Sequence, residues 1–283
     1  MEISMKIVGD TYKGLRLCYF NARSSSKHKV DYLSYLLFVL KAEVICTTET
    51  WFRPHVDDGF CQIVGYNVVR HDRTLGVRGG GIALYIKGGL YYKVVAKSGD
   101  DSTVEYLRVV VGGDTPKCLV MCVYNPHRSN CVDEVFRVVG EFSIAYEYII
   151  LCGDCDLLLC DGRAKRLCDA MVTCGLAMVN SWPTRYAPNC LPSLLDIMYV
   201  SDDSLVLRYD QFPLVGVSDR ELMLLVSNIR LGGDDRRWRS ISYRDISAVN
   251  VEQPSVAASM VCWNDVSNFG GINDKFECLN GAI

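Results

Sequence analysis

The chain has 283 residues, of which 49% are hydrophobic and 22% charged, with a formal net charge of −3. That length can bury one full mixed α/β core with a tail, and the composition excludes wholesale disorder. The mild acidity carries no global footprint of a nucleic-acid binder, but it leaves room for an enzyme that bridges carboxylates to phosphate through a divalent cation.

No apolar run reaches the ~18 residues of a membrane span, and MEISMKIVGD lacks the apolar core of a secretory signal. A reducing compartment, nuclear or cytoplasmic, is therefore expected, with no membrane partner. Most of the fourteen cysteines lie in apolar runs such as RLCYF, VICTT and VMCVY, where free cysteine serves as a small core residue.

GLRLCYFNA at 14–22 reads as the first strand. Ser24, Ser25 and Ser26 offer capping oxygens for a helix to about residue 41, with Val30, Leu33, Leu37 and Leu40 on one apolar face. EVICTTE follows as a strand, completing a βαβ-like unit. Segments 61–71, 79–86, 91–96, 103–111 and 117–124 read as consecutive strands between Gly- and Asp-rich turns. A helix near 132–146 turns Val132, Val135, Val139 and Phe142 inward, and YIILC at 148–152 is a buried strand. Asp161 caps a helix that Gly175 stops, and LLDIMYV and ELMLLV are the last strands. The pattern breaks near residue 230, where DDRRWRS begins a tail that holds two possible short helices, YRDISAVN and NDKFECLNGAI. The expectation is an α/β fold: a four-layer sandwich of two packed, mostly antiparallel sheets flanked by helices. Its parts are an N-terminal extension (1–14), the domain proper (15–230) and a connector tail (231–283).

Polar residues stand at strand ends in a regular series: Asn21, Glu49, Asp154, Asp196 and, before ELMLLV, Asp219. A single acidic residue there is usually a turn former. Five in series point instead to a hard cation such as Mg²⁺, which takes oxygen ligands.

The wording and order of these segments resemble the endonuclease/exonuclease/phosphatase superfamily, and most of all the apurinic-type endonuclease domain of non-LTR retrotransposons. The resemblance rests on NAR at 21–23, TETW at 48–51, RGGGIALYI at 78–86, YNP at 124–126, GDCD at 153–156, SLLDIMYVS at 193–201 and SDR at 218–220. It implies a Mg²⁺- (or Mn²⁺-) dependent DNA endonuclease that leaves a 3′-hydroxyl. By resemblance, Glu49 is the principal metal ligand, with Asn21 and Asp219 close to the ion. Asp154 orients and deprotonates water, Tyr124 contacts the scissile phosphate, and Asp196 fixes the residue after Asp219. The tail wording is similar to a connector leading to a reverse transcriptase.

Two catalytic positions depart from the family pattern. G-D-F-N reads GDCD, so Asp156 replaces a carboxamide, and like charges at ~4 Å cost ~4 kcal/mol at an effective dielectric near 20. S-D-H reads SDR, so Arg220 replaces a histidine, and arginine shuttles no proton near neutral pH. Loss of a proton-transfer group costs ~10²–10⁴-fold in rate. An inactive DNA-binding relic, or a phosphodiesterase with another substrate, therefore stands beside the endonuclease. Arg73, Arg78, Arg185 and Tyr186 are candidate nucleic-acid contacts, the last two in the Pro-rich loop SWPTRYAPNCLPS at 181–193. RGGG reads as a close-packed glycine turn rather than a P-loop. CGDC at 152–155 reads as core packing, with a thiol-redox role the remotest alternative.

Overall fold

The computed structural model describes residues 13–74, 79–100, 102–113, 118–125, 132–141, 146–155, 162–186, 191–214 and 217–231. The connector tail from 232 on, most of the N-terminal extension, Asp161 and Phe142 lie outside these residues, as do Arg78 and Asp156.

The first half is β1 (Leu15–Asn21), α1 (Lys27–Leu40), β2 (Val44–Thr48), the short α2 (Asp58–Cys61), β3 (Tyr66–His71) and β4 (Ile82–Lys87). It continues through β5 (Tyr92–Lys97), β6 (Glu105–Val111), β7 (Cys118–Tyr124), α3 (Val132–Gly140) and β8 (Tyr148–Asp154). The rest is α4 (Gly162–Thr173), the two-residue β9 (Ala177–Met178), β10 (Asp196–Val200), β11 (Val206–Pro213) and β12 (Glu221–Ser227).

These strands make two six-stranded sheets, ordered β11-β12-β1-β2-β4-β3 and β5-β6-β7-β8-β10-β9. Pairing is antiparallel except at the centre of each sheet, where β1 runs parallel to β2 and β7 to β8. Those two pairs are the ones joined by helices α1 and α3, because a parallel pair needs a long crossover.

Alternation along each strand builds the layers. On β1, Leu15, Leu17 and Tyr19 enter the core between the sheets, while Cys18 and Phe20 meet Val30, Leu33, Leu36, Leu37 and Leu40 of α1. On β7, Val120 and Cys122 face inward, whereas Leu119, Met121 and Val123 meet α3 and α4. Helix, sheet, sheet, helix is the expected four-layer sandwich.

Local departures have local causes. The segment expected as a strand from 61 starts only at Tyr66, because Asp57 accepts the Gly59 N–H and caps α2. Ser26 holds the N-cap position of α1 without a side-chain cap. The third helix ends at Gly140, short of the expected 146. Gly175, at φ +73°, does follow α4 as its stop. Strand β11 was not expected: Arg208, Asp210 and Pro213 suit an edge strand that is only half-buried.

The cysteines pack as core residues. Cys46, Cys122 and Cys152 bring their sulfurs within 4.8 Å of one another between the sheets, and burial pushes each thiol well above its ordinary range. Cys152 faces the other sheet while Cys155 faces the helices, so the CGDC spacing makes no thiol pair. Among the described residues no helix is long and apolar enough to cross a membrane.

Gly153 lies tight against β7, since a Cβ there would lie 2.0 Å from the Val123 carbonyl oxygen. Gly153→Ala is expected to destabilise the chain by about 1–3 kcal/mol through overpacking, read as a lower midpoint in urea unfolding.

Candidate active site

The central strands of both sheets deliver the polar residues to one end of the sandwich. Asn21 closes β1 in register with Thr48, the residue before Glu49, and Tyr124 closes β7 in register with Asp154 on β8. Asp154 is in turn the antiparallel partner of Asp196, the first residue of β10. Asp219 and Arg220 sit just before β12, which pairs with β1. The ends of β1, β2, β7 and β8 and the starts of β10 and β12, six strand termini, thus meet around one cleft.

Asn21 is the brace between the sheets. Its Nδ2 donates to Glu49 Oε1 at 2.8 Å and to Asp154 Oδ2 at 2.7 Å, while Oδ1 accepts the Arg23 N–H at 2.9 Å. One lone pair of Oδ1 remains for an ion. The backbone around it is strained. Among the described residues five non-glycine residues have positive φ, and four of them, Arg23, Ser24, Glu49 and Trp51, flank this brace. Such conformations cost of order 1–3 kcal/mol each and persist where surrounding bonds over-determine them. Here Ser24 N–H donates to the Glu49 carbonyl, and Trp51 N–H to the Gly80 carbonyl. The Trp51 indole also reaches Glu49 Oε2 at 3.4 Å.

The glycine turn exists for packing, as its sequence implied. A Cβ on Gly80 would fall 2.4 Å from Arg73 Cζ, and one on Gly81 2.6 Å from Thr50 Oγ1. Arg73 is held rather than presented: Nε donates to Glu105 Oε1 at 2.6 Å, and Cζ stands 5.8 Å from the Tyr124 ring centroid. It supports Tyr124. Burial, with the charges of Glu49 and Asp154, pushes the Tyr124 phenol above its ordinary range, so it stays a proton donor.

Asp196 is fully buried and richly bonded. Thr184 Oγ1 donates to its Oδ2 at 2.6 Å, Tyr19 OH to its Oδ1 at 3.0 Å, and Asn180 Nδ2 to its carbonyl at 2.9 Å. Burial pushes its carboxyl above the usual range and Glu49 adds to that, while Arg220, Thr184 and Tyr19 work against it. Arg220 lies between two carboxylates, with Nη2 3.3 Å from Asp154 Oδ2 and Nε 3.9 Å from Asp196 Oδ2. Burial opposes its charge, but Asp196, Asp154, Tyr19 and Asp219 outweigh burial and keep it protonated. The proposed partner of Asp196 is therefore in place, as an ion pair.

Asp219 carries two arginines on one oxygen: Arg23 Nη1 at 2.8 Å and Arg185 Nε at 3.2 Å both donate to Oδ2. Its Oδ1 is buried and accepts no hydrogen bond. An orphaned carboxylate oxygen offers a ligand position to a hard divalent cation, and Asp219, Glu49 and Asn21 supply oxygen ligands without sulfur or imidazole. Burial raises the Asp219 carboxyl, but Arg185, Arg23 and Arg220 outweigh it and hold it below the usual range.

Of the candidate nucleic-acid contacts, Arg185 is one-third exposed beside the cleft and Tyr186 is half-exposed. Arg23, Tyr19, Thr184 and Asn180 were not singled out from the sequence. Arg23 and Thr184 lie inside the quoted segments NAR and SWPTRYAPNCLPS, so their place in the chain could have flagged them. Tyr19 and Asn180 gave no signal, being ordinary in an apolar strand and a loop.

Two expectations follow. Thr184→Val removes a hydrogen bond from a buried carboxylate and should cost about 1–3 kcal/mol in urea unfolding, with the fold retained. For Asp219, the folded value lies below the unfolded one near 3.9, so its ionised form stabilises the fold above that pH and the gain is lost on acidification. In EDTA, Asp219→Asn should therefore melt below the parent chain at neutral pH, and the gap should close as the pH falls below about 4.

The fold is shared widely. The endonuclease domain of TRAS1, a telomere-specific non-LTR retrotransposon, is 14% identical with a TM-score of 0.60, covering 76% of this chain and 99% of that one. The AP endonuclease LMAP from Leishmania major is 14% identical with a TM-score of 0.62, covering 76% and 88%. D. rerio TDP2 complexed with single strand DNA product is 12% identical with a TM-score of 0.53, covering 75% and 98%. No curated protein matches the chain in sequence. The model of the Endonuclease/Exonuclease/phosphatase family, however, matches residues 18–220. That match runs from within β1 to the threshold of β12 and takes in every strand end that forms the cleft, and the chain belongs to the endonuclease/exonuclease/phosphatase family.

Proposed function

We propose that the chain is a divalent-cation-dependent DNA endonuclease of non-LTR retrotransposon type, which hydrolyses one phosphodiester and leaves a 3′-hydroxyl. The observation that carries this reading is Asn21 bridging Glu49 and Asp154 from the two sheets, together with a buried Asp219 oxygen that lacks a partner. The likeness to the TRAS1 endonuclease domain and to a neighbour complexed with single strand DNA product supports DNA as the substrate. Linkage to a reverse transcriptase, through the tail beyond residue 230, belongs to the same reading.

Glu49 and Asp219, with Oδ1 of Asn21, would hold Mg²⁺ or Mn²⁺, which when bound polarises the phosphoryl oxygen and stabilises the leaving oxygen. The chain's own groups do the rest. Asp154, oriented by the Asn21 amide, positions the attacking water in line and accepts its proton. The Tyr124 phenol donates to a non-bridging phosphate oxygen. Asp196, fixed by Thr184 and Tyr19, holds Arg220 in place. Arg185 and Tyr186 lie at the edge of the cleft, where a neighbouring phosphate and base can be met.

One observation favours a second reading, a DNA-binding protein that no longer cleaves. The Arg220 guanidinium rests on Asp154, the carboxylate that must take the water's proton, and occupies the same Oδ2 that the Asn21 amide already bonds.

Nicking of supercoiled plasmid separates the two. The parent chain should nick with Mg²⁺ and not in EDTA, and Glu49→Ala should lose at least about 100-fold in rate, the equivalent of several kcal/mol of metal stabilisation. Nicking by the Asp156→Asn/Arg220→His double variant alone would establish the second reading. No nicking by any of the three, with each shown to be folded, would remove DNA as the substrate.

A further inference from the structure

Three thiols that the cleft does not use meet in the layer between the sheets. Cys46 of β2 comes from one sheet, and Cys122 of β7 and Cys152 of β8 come from the other. All three are wholly buried, and their sulfurs lie within 4.8 Å of one another. Cys122 and Cys152 are register partners on the parallel pair, and Met198 of β10 is the next partner of Cys152 along that row. Met198 is buried in the same layer, so a soft thioether stands beside the thiols.

Geometry and charge select one kind of ion. With metal–sulfur bonds of about 2.3 Å, the length at zinc thiolates, planar three-sulfur coordination sets the sulfurs about 4.0 Å apart. At its widest the trio needs to close by no more than about 1 Å. A structural zinc site closes four ligands drawn from cysteine, histidine and carboxylate, whereas among the described residues this group holds three cysteines alone. Sulfur-only coordination suits a soft ion. Burial, the largest influence on each thiol, keeps the protons on. A monovalent ion that replaces one of those protons leaves the layer neutral, and an uncompensated charge there would be costly. In that exchange one thiol gives up its S–H proton to solvent and forms an S–Cu bond. The other two sulfurs donate lone pairs, and no oxidation state changes.

We propose that Cys46, Cys122 and Cys152 form a binding site for a soft monovalent cation, Cu(I), which enters as the two sheets pack and pins β2 to β7 and β8. Cys122 and Cys152 precede the cleft residues Tyr124 and Asp154 by two positions, and Cys46 precedes Glu49 by three. The ion therefore sits beneath the cleft, about 7 Å back along the strands. It is a structural site, and it stands whether or not the cleft cleaves DNA.

The test uses the full chain, refolded with Cu(I) under reductant and without oxygen, then held in native buffer with an excess of a chromogenic Cu(I) chelator. Exposed thiols surrender copper to the chelator. The buried trio should keep about one ion per chain and release it when urea unfolds the chain. Cys46→Ala and Cys152→Ala should each lose the retained copper, while Cys118→Ala, which removes another buried cysteine of the same layer, should keep it. Melting curves taken alongside show which variants are folded. Should the trio variants fail to fold, the parent chain still decides: with ¹³C-labelled cysteine, the retained copper should move the Cβ signals of Cys46, Cys122 and Cys152 and leave that of Cys118 in place. No copper retained by the parent, retention by folded Cys46→Ala or Cys152→Ala equal to the parent's, or unmoved signals from the three cysteines would each overturn the site.

Discussion

Four carboxylates, Glu49, Asp154, Asp196 and Asp219, share one end of the sandwich, and their mutual repulsion is the constraint around which the cleft is arranged. At an effective dielectric near 20, each like pair at 4 Å costs ~4 kcal/mol, a large share of what a domain has in net stability. The chain answers with four cationic or amide groups. Asn21 hydrogen-bonds two of the carboxylates, Arg220 pairs with two, and Arg23 with Arg185 neutralises the fourth. Positive-φ backbone at Arg23 and Glu49 accompanies this: the Arg23 N–H meets Asn21 Oδ1 while its side chain reaches Asp219, and the Glu49 carboxylate accepts from Asn21 Nδ2.

That arrangement also explains the asymmetry between the two ends of Asp219. One oxygen carries both arginines and the other carries nothing, so charge is balanced while a ligand position stays available. Arginine is suited to this role, since its charge survives burial where a histidine's would not. The same permanence is what sets Arg220 apart from the histidine of the family pattern. A histidine could serve Asp196 and also move a proton; a guanidinium can only hold charge in place.

The fold positions all this through its two parallel pairs. Each of β1–α1–β2 and β7–α3–β8 sends both strands out the same way, so their carboxyl ends open on the same side of each sheet. Gly153 lets β8 lie against β7 at the point where Asp154 must emerge, and Gly80 and Gly81 let the turn before β4 close over Arg73 and Thr50. Cysteines fill the layer between the sheets as small apolar groups.

Much of this was legible in the chain itself. Continuous apolar runs placed β1, β2, β7 and β8 within a few residues, and three- and four-residue apolar steps placed α1, because central elements buried on both faces have little choice of side chain. The order of polar strand ends picked out Asn21, Glu49, Asp154, Asp196 and Asp219, while Tyr124 and Arg220 came from the resemblance of YNP and SDR to the family pattern. Edge strand β11 and short helix α2 escaped, for their half-exposed residues are free to be polar and their limits are set by neighbours. Only the tertiary structure decided which polar groups meet. Asn21 spans both sheets across 133 residues of chain, Arg73 stands by the Tyr124 ring 51 residues further on, and Arg220 keeps one arm without an acceptor. Residue types and spacing determined the elements and the inventory of chemistry; distance and direction between side chains arise only when the two sheets pack, because hydrogen bonds and ion pairs depend on ångström-scale geometry that no local pattern encodes.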